Sequence, residues 1–256
     1  MGPNKPFQDL AWGFAKKGIA VLRYEKRTKV YGSLAFKDKV TVQEEVIDDA
    51  LAAVSLLLKI PEINQEQIYI LGHSLGGTLI PRIAQQTQKV KGYIVMAGAC
   101  RPMEDIIIEQ SNYLFSLDGV ISKEEQSYLD LLKKQTEKVK SPELSLAVPA
   151  TELPINIPAS YWLDLRGYNP ALVAQKVERP FLILQGERDY QVTIVDFKLW
   201  QAALSKRKDV EFILYPDLNH LFIAGKGKSN PGEYQVAGNV DETVINDIAG
   251  WIKKLK

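Results

Sequence analysis

Ser74 occupies a setting that favours nucleophilic chemistry. It is the third residue of Gly-His-Ser-Leu-Gly-Gly (72–77), which directly follows an apolar run and directly precedes a helical pattern. A serine at such a strand-to-helix turn has a strained backbone and an exposed hydroxyl, and it needs small residues at Gly72 and Gly76 because strand and helix pass within contact distance. The helix N-terminus also positions the Leu75 N–H to donate to an oxyanion. The pattern predicts that Ser74 is a nucleophile, and an ordinary glycine-rich turn is the alternative.

A serine nucleophile needs a base that an acid orients. The chain has two histidines, His73 and His220. His73 adjoins the serine within the turn, so its ring should point away from the hydroxyl, and we expect it to pack or to support the site. His220 follows an apolar run, which places it just beyond the carboxyl end of a predicted strand. His220 is therefore the predicted base.

Three carboxylates are candidates for the acid. Asp189 follows the fourth apolar run, Glu187 lies two residues before it, and Asp217 lies three residues before His220. Asp189 is favoured because a loop after the penultimate strand can reach the second nitrogen of the histidine. Asp217 suits a turn, where aspartate is common. The favoured chain order is serine, aspartate, histidine, with Glu187 and Asp217 as alternative acids.

The elements that must position these residues alternate between strands and helices. Five short apolar runs are typical of parallel strands that helices cover on both faces. Helical patterns separate them; one begins with a capping box of Thr41 and Glu44, and another follows Ser74. The alternation predicts an α/β fold with a mostly parallel sheet flanked by helices. The predicted strands are 18–24, 67–71, 92–97, 180–185 and 210–215, and the last two predicted helices cover 193–205 and 241–255.

Residues 101–175 interrupt this alternation, because they contain helical segments and loops but no strand pattern. One helix begins at a capping box of Ser122 and Glu125. Because active sites of open α/β sheets lie at the carboxyl ends of the strands, a helical cap over a pocket is the functional interpretation, and a packing appendage is the alternative. We therefore predict a core of 1–100 and 176–256 with a cap of 101–175. Aromatic residues that could line the pocket, or could instead be plain core, are Tyr113, Phe115, Tyr161, Trp162 and Tyr168, with Tyr190 beside the candidate acid.

Composition argues against several classes of protein. With 32 basic and 31 acidic residues the formal charge is +1, which gives no electrostatic reason to expect nucleic acid as a partner. Cys100 is the single cysteine, so no internal disulfide can form, and two histidines argue against a metal centre. No apolar run approaches the ~20 residues of a membrane span, and the first residues lack a signal pattern. We expect a cytoplasmic protein, or an extracytoplasmic one if the chain is a fragment of an exported protein.

A glycine- and lysine-rich stretch at 225–229 lacks the spacing of a phosphate-binding loop. Asn230, Pro231 and Gly232 follow it, which is typical of a mobile surface loop. We predict no nucleotide site there.

These motifs resemble those of α/β-hydrolases, and specifically those of bacterial carboxylesterases related to dienelactone hydrolases. The similar segments are 17–24 (KGIAVLRY), 72–77, 186–189 (GERD) and 219–220 (NH), and the similarity extends over nearly the whole chain, cap included. The resemblance implies that Ser74, Asp189 and His220 form a triad that hydrolyses carboxylic esters, commonly those with short acyl chains, without a cofactor. It also implies that the partner is a small-molecule ester.

One feature of that family has no counterpart here. Its members have a strand before the one at 18–24, and a His-Gly turn after that strand supplies a second oxyanion N–H. This chain starts just downstream of that position, so we predict a sheet without the family's first strands and with no identified second donor. Losing one such donor typically lowers turnover ~10²–10³-fold.

We therefore hypothesise acyl transfer to water through a covalent intermediate on Ser74. A serine peptidase would use the same residues, although no acidic residues that could hold a substrate amine are evident. A hydrolase-fold protein that binds a ligand without catalysis is the alternative from another class; the intact set of three candidate residues argues against it, whereas the missing N-terminal segment argues for it. The sequence gives no indication of the oligomeric state.

Overall fold

Four of the five predicted strands form one parallel sheet. The computed structural model describes residues 2–32 and 40–255. Its strands follow one another in the order β1-β2-β3-β4, and pairing in register aligns His73 with Met96 and Gly186 with Tyr215. The carboxyl ends of all four strands therefore lie along one edge. The strands are β1 (Tyr69–His73), β2 (Gly92–Met96), β3 (Phe181–Gly186) and β4 (Val210–Tyr215).

The described residues form ten α-helices, of which three precede β1 and seven connect or follow the strands. They are α1 (Pro6–Ala15), α2 (Arg27–Tyr31), α3 (Asp48–Leu57), α4 (Leu75–Gln86), α5 (Met103–Phe115), α6 (Lys123–Lys140), α7 (Ala159–Leu165), α8 (Pro170–Ala174), α9 (Ile194–Leu204) and α10 (Glu242–Lys254). None of them is long and apolar enough to cross a membrane.

Apolar side chains alternate between the two faces of the sheet, as the pleat requires. Ile94 and Met96 of β2 belong to one cluster with residues of α1 and α10, whereas Tyr93 and Val95 belong to a second cluster with residues of α4, α8 and α9. The two central strands, β2 and β3, are buried on both faces, which explains why they read as continuous apolar runs, whereas β1 and β4 at the edges are partly exposed. The prediction of a mostly parallel sheet flanked by helices is confirmed.

The predicted strand at 18–24 is wrong. This segment has no regular secondary structure, and the side chains of Val21, Leu22 and Tyr24 are 41%, 38% and 49% exposed. Among the described residues β1 pairs only with β2, so no described strand lies beside 18–24 to share hydrogen bonds. An apolar groove of about 390 Å³ separates the segment from the outer edge of β1, and its walls include Phe7, Leu10, Phe14, Leu57, Ile63 and Tyr69.

Two compact units divide the chain. The first comprises Met1–Tyr24, Ala50–Cys100 and Pro170–Lys256, and the second comprises Glu25–Asp49 and Arg101–Asn169. The predicted core and cap differ from these bounds at two places. Glu25–Asp49 belongs to the second unit, where Glu45 accepts a hydrogen bond from Tyr161, and α8 belongs to the first unit, where Ala171 and Ala174 join the apolar cluster.

Of the two predicted capping boxes in the second unit, that of Ser122 and Glu125 is complete, whereas that of Thr41 and Glu44 is present in part. Ser122 accepts from the Glu125 N–H while the Glu125 carboxylate accepts from the Ser122 N–H, and α6 begins at the next residue. The Thr41 N–H donates to Glu44 at 2.9 Å, but the helix that follows starts with a π-helical turn, Gln43–Ile47, before it continues as α3. The second unit has its own apolar core, which includes Val139, Leu153 and Trp162.

Candidate active site

Ser74 lies in the turn between β1 and α4 with backbone angles of φ 56° and ψ −123°. These angles match the first central position of a type II′ turn, which glycine normally occupies, so the serine is strained as predicted. Two backbone hydrogen bonds hold it there: the Ser74 N–H donates to Met96 O at 2.9 Å, and Thr78 N–H donates to Ser74 O at 2.9 Å. The neighbouring β2 and the first turn of α4 thus fix the strained residue from both sides.

The glycines around Ser74 differ in the space that they have. A Cβ atom added to Gly72 would lie 2.3 Å from the Gly76 carbonyl oxygen, which no side chain tolerates. One added to Gly77 would lie 3.1 Å from Gly72 O and Met96 O, whereas one added to Gly76 would meet nothing within 4 Å. The prediction that the turn needs small residues is therefore confirmed at Gly72. It is wrong at Gly76, because the backbone of Gly76 faces Gly72 whereas a side chain at Gly76 would point into open space.

Leu75 is the first residue of α4. The first N–H groups of a helix have no intrahelical acceptor, and the helix dipole concentrates positive partial charge there. Leu75 therefore provides a donor directly beside the Ser74 hydroxyl.

Asp189 and His220 meet at the carboxyl ends of β3 and β4. His220 Nδ1 lies 2.7 Å from Asp189 Oδ2, and the two side chains are 1% and 0% exposed. The other carboxylate oxygen accepts from the N–H groups of Gln191 and Val192, at 2.8 and 3.0 Å. The alternative acids, Glu187 and Asp217, are exposed. The structure thus brings the predicted base together with the favoured acid.

Gln185 supports this carboxylate, and the sequence analysis did not single it out. Its side chain is buried at the end of β3, and Nε2 donates to Asp189 Oδ2 at 3.2 Å, to Val192 O at 2.8 Å and to Gly186 O at 3.0 Å. The available signal was a glutamine at the end of an otherwise apolar strand, because a buried amide needs partners.

His73 contacts the candidate base directly. His73 Nε2 lies 2.7 Å from the backbone carbonyl oxygen of His220, and the two ring centroids are 4.6 Å apart. A carbonyl oxygen only accepts, so His73 Nε2 carries the proton and donates. His73 also meets the ring of Phe7 edge-on at 6.0 Å. The expectation that His73 packs or supports the site agrees with these contacts.

Ser74 follows His73 in the chain, so the candidate nucleophile and the candidate base lie at the same edge of the sheet. The described residues contain no hydrogen bond between Ser74 Oγ and His220. Such bonds are often long without substrate and tighten only when the substrate binds.

The loop at 225–232, predicted to be mobile, is anchored in this structure. Arg188 Nε donates to Gly227 O at 2.9 Å, and Ser229, which is 1% exposed, donates through Oγ to Glu233 at 3.0 Å. Burial works against ionisation of Glu233, but hydrogen bonds from Arg188, Asn219 and Ser229 outweigh it and lower the pKa of the carboxyl below its usual range. Most of 225–232 is exposed, as predicted for a surface loop, and its anchors come from distant parts of the chain. Its mobility stays a prediction.

The aromatic candidates for substrate binding lie in several settings. Tyr161 is buried in the second unit, and its hydroxyl donates to Glu45 at 2.6 Å; burial and that carboxylate raise the pKa of the phenol, so it stays protonated. Trp162 donates to Ile157 O at 3.1 Å. Together with Tyr168 it borders a pocket of about 350 Å³ within the second unit.

The remaining aromatic candidates have other surroundings. Phe115 packs edge-on against Tyr128, and Tyr113 is half-buried. Tyr190 is buried in the first unit near Tyr234. Their role in substrate binding stays a prediction.

Comparisons with known proteins place the chain in a hydrolase family. The sequence model of a hydrolase family described as "Serine aminopeptidase, S33" matches residues 5–226. Esterase EstD of Thermotoga maritima is 43% identical over 259 residues, which cover 99% of this chain and 58% of that protein. The chain therefore spans less than two thirds of the length of this curated relative.

Solved structures show the same fold at low identity. An esterase of Pyrococcus furiosus has a TM-score of 0.58 at 13% identity, covering 98% of this chain and 75% of its own. The esterase domain of a Rhodothermus marinus protein has a TM-score of 0.54 at 17% identity, covering 97% of this chain and 80% of its own. At these identities the likeness concerns the fold alone.

Proposed function

Because the chain belongs to the hydrolase family described as "Serine aminopeptidase, S33" and has the α/β-hydrolase fold, we propose that it hydrolyses small carboxylic esters through a serine nucleophile. The observation that carries the proposal is the buried pair of His220 and Asp189, 2.7 Å apart, at the strand edge where the strained Ser74 lies. The name of the Thermotoga maritima relative supports an ester as substrate. The resemblance to dienelactone hydrolases stays a prediction.

In the proposed acylation, His220 accepts the proton of Ser74 Oγ as that oxygen attacks the ester carbonyl carbon. Asp189 holds the Nδ1 proton of His220, which leaves Nε2 free to act as the base. The carbonyl oxygen becomes an oxyanion, and the Leu75 N–H donates to it. The tetrahedral intermediate then expels the alcohol, which takes its proton from His220 Nε2.

Deacylation repeats these steps with water. His220 removes a proton from water, the hydroxide attacks the acyl carbon, and Ser74 leaves with the proton from His220. The products are a carboxylic acid and the regenerated serine. The Asp189 carboxylate accepts four hydrogen bonds, and the Ser74 backbone makes two. These bonds would keep the reacting groups aligned through acylation and deacylation.

Peptide hydrolysis is the second candidate, and the description of the family as aminopeptidases favours it. The same three residues would serve, since amides and esters pass through similar tetrahedral intermediates. The difference lies in the leaving group, because an amine needs its proton from His220 before it departs whereas a nitrophenol does not.

Release of p-nitrophenol from its acetate and butyrate esters tests the proposal, with matched p-nitroanilides as the amide substrates. We expect ester turnover that exceeds amide turnover and that the Ser74→Ala variant lacks. Ester hydrolysis that persists in folded Ser74→Ala would refute the serine mechanism. Faster hydrolysis of the anilides would make the chain a peptidase.

A further inference from the structure

The anchored loop, taken here to extend over 225–235, contains Glu233. The carboxylate of Glu233 joins the loop that carries Asp189 to the loop that carries His220. We propose that Glu233 is a positioning residue, which holds the loop of the candidate acid and the loop of the candidate base in register through Arg188 and Asn219. The inference rests on the proposed function, because it assigns Asp189 and His220 the roles of acid and base.

The contact with the base loop passes through Asn219, the residue before His220. Asn219 Nδ2 donates to Glu233 Oε2 at 3.0 Å, and its side chain is buried. Its Oδ1 accepts from the N–H groups of Leu221 and Ile223, at 3.0 and 3.3 Å, on the other side of His220. The amide of Asn219 therefore closes a turn around His220, and Glu233 fixes the orientation of that amide.

The contact with the acid loop passes through Arg188, the residue before Asp189. Its guanidinium binds both carboxylate oxygens of Glu233 and also donates to the carbonyl oxygens of Lys226 and Gly227, at 3.1 and 2.9 Å. The Arg188 side chain is only 9% exposed. Its backbone N–H donates to Leu218 O at 3.0 Å, so the two loops also touch directly.

The pattern of partners distinguishes this cluster from an ordinary ion pair. Glu233 receives hydrogen bonds from both loops, each one from the residue directly before a candidate site residue, and a third from Ser229 of its own loop. Without the carboxylate, a buried guanidinium would lose its counter-charge and the Asn219 amide would lose an acceptor. Both loops would then be free to shift, and a displacement of about 1 Å at reacting groups costs roughly 10²-fold in rate.

A second ion pair in the same unit provides a matched control. Arg207 donates to Asp209 through Nε at 2.9 Å and to the carbonyl oxygens of Ala174 and Val177, at 2.8 and 2.7 Å. Asp209 directly precedes β4, whereas the candidate base follows the other end of that strand. Six strand residues at ~3.3 Å each place the two ends about 20 Å apart.

The test compares Glu233→Gln with Asp209→Asn, because both substitutions remove one charge and retain the shape of the side chain. We measure the thermal midpoint, kcat and KM with p-nitrophenyl acetate, and the low-field proton resonance of His220 Nδ1–H. The His73→Gln variant retains His220 as the single histidine, and it thereby assigns that resonance. We expect Glu233→Gln to lower kcat by about 10–10²-fold with little change in KM, and to shift or broaden the resonance. We expect Asp209→Asn to lower the thermal midpoint and to leave kcat and the resonance unchanged.

A Glu233→Gln variant that keeps kcat and the resonance while its midpoint falls like that of Asp209→Asn would overturn the proposal, because Glu233 would then be purely structural. The resonance separates this outcome from failure of the proposed function. If the unaltered chain turns over no ester, the esterase proposal fails, and the resonance in Glu233→Gln still reports whether Glu233 positions His220.

Discussion

His73 Nε2 donates a hydrogen bond to the backbone carbonyl oxygen of His220, at 2.7 Å. The residue directly before the candidate nucleophile therefore fixes the main chain of the candidate base. This bond joins the end of β1 to the loop that follows β4, although 147 residues separate the partners along the chain. It thereby links the residue before Ser74 to the backbone of His220, and we expect the alignment of Ser74 with His220 to depend on it.

Replacing His73 tests this dependence. His73→Leu leaves a carbonyl oxygen of the base loop without its donor, which costs about 1–3 kcal/mol. We expect kcat for nitrophenyl acetate to fall ~10–10²-fold in His73→Leu, since a misplaced base is less effective. The amide of His73→Gln can donate to the same oxygen, and we expect it to recover most of that loss. Equal kcat values in the two variants would show that the hydrogen bond has no part in positioning His220.

Asp189→Asn separates geometry from charge. The two backbone bonds to Oδ1 can remain, but the negative charge beside His220 Nδ1 is lost. We expect kcat to fall ~10³–10⁴-fold in a chain that still folds, because the asparagine favours the wrong tautomer of the histidine. The control is Glu187→Gln, which removes an exposed carboxylate of the same loop and should leave kcat unchanged. A comparable loss in both variants would mean that Asp189 is not the acid.

The two glycines beside Ser74 should respond differently to alanine. A Cβ at Gly72 would lie 2.3 Å from Gly76 O, so Gly72→Ala forces the turn open. We expect a loss of about 1–3 kcal/mol or more in the free energy of unfolding, measured with urea. Gly76→Ala has open space within α4 and should stabilise the helix by about 0.5–1 kcal/mol. Tolerance of alanine at Gly72 would mean that strand and helix lie farther apart than described.

The lowered pKa of the Glu233 carboxyl predicts that the folded chain loses stability at low pH. Its pKa is lowered in the folded chain, because donors from Arg188, Asn219 and Ser229 outweigh the effect of burial. A group with a depressed folded pKa contributes stability that is fully present above the unfolded pKa, about 4.3 for glutamate, and that is lost as pH falls through the folded value. We therefore expect Glu233→Gln to unfold at a lower temperature than the unaltered chain at pH 7, and the difference to shrink below about pH 4.3. Melting curves from pH 7 to pH 3 measure this. A constant difference would show that the charge of Glu233 has no stabilising role.

Much of the sheet and the candidate site could be predicted because the relevant signals are local. Continuous apolar runs identified β1 to β4, most clearly β2 and β3, because burial on both faces leaves no polar alternation. The motif around Ser74 carries its own turn and helix start. His220 was favoured because the chain has just one other histidine.

Several features could not be predicted because the deciding partner lies far away in the sequence. Residues 18–24 are apolar and β-prone, but a strand also needs a neighbour, and the segment alone does not reveal whether one exists. Glu233 contacts Arg188 and Asn219, which lie 45 and 14 positions away, and loop composition gave no sign of either contact. Likewise, Glu25–Asp49 joins the second unit through Tyr161, more than a hundred residues later.

The most direct test of the serine mechanism is covalent labelling with a fluorophosphonate, followed by mass spectrometry of the digested chain. We predict one phosphonyl adduct per chain, on the peptide that contains Ser74, and a much slower reaction in Asp189→Asn. We predict no adduct in Ser74→Ala. An adduct on a different residue, or a folded chain that hydrolyses esters without being labelled at Ser74, would contradict the serine mechanism.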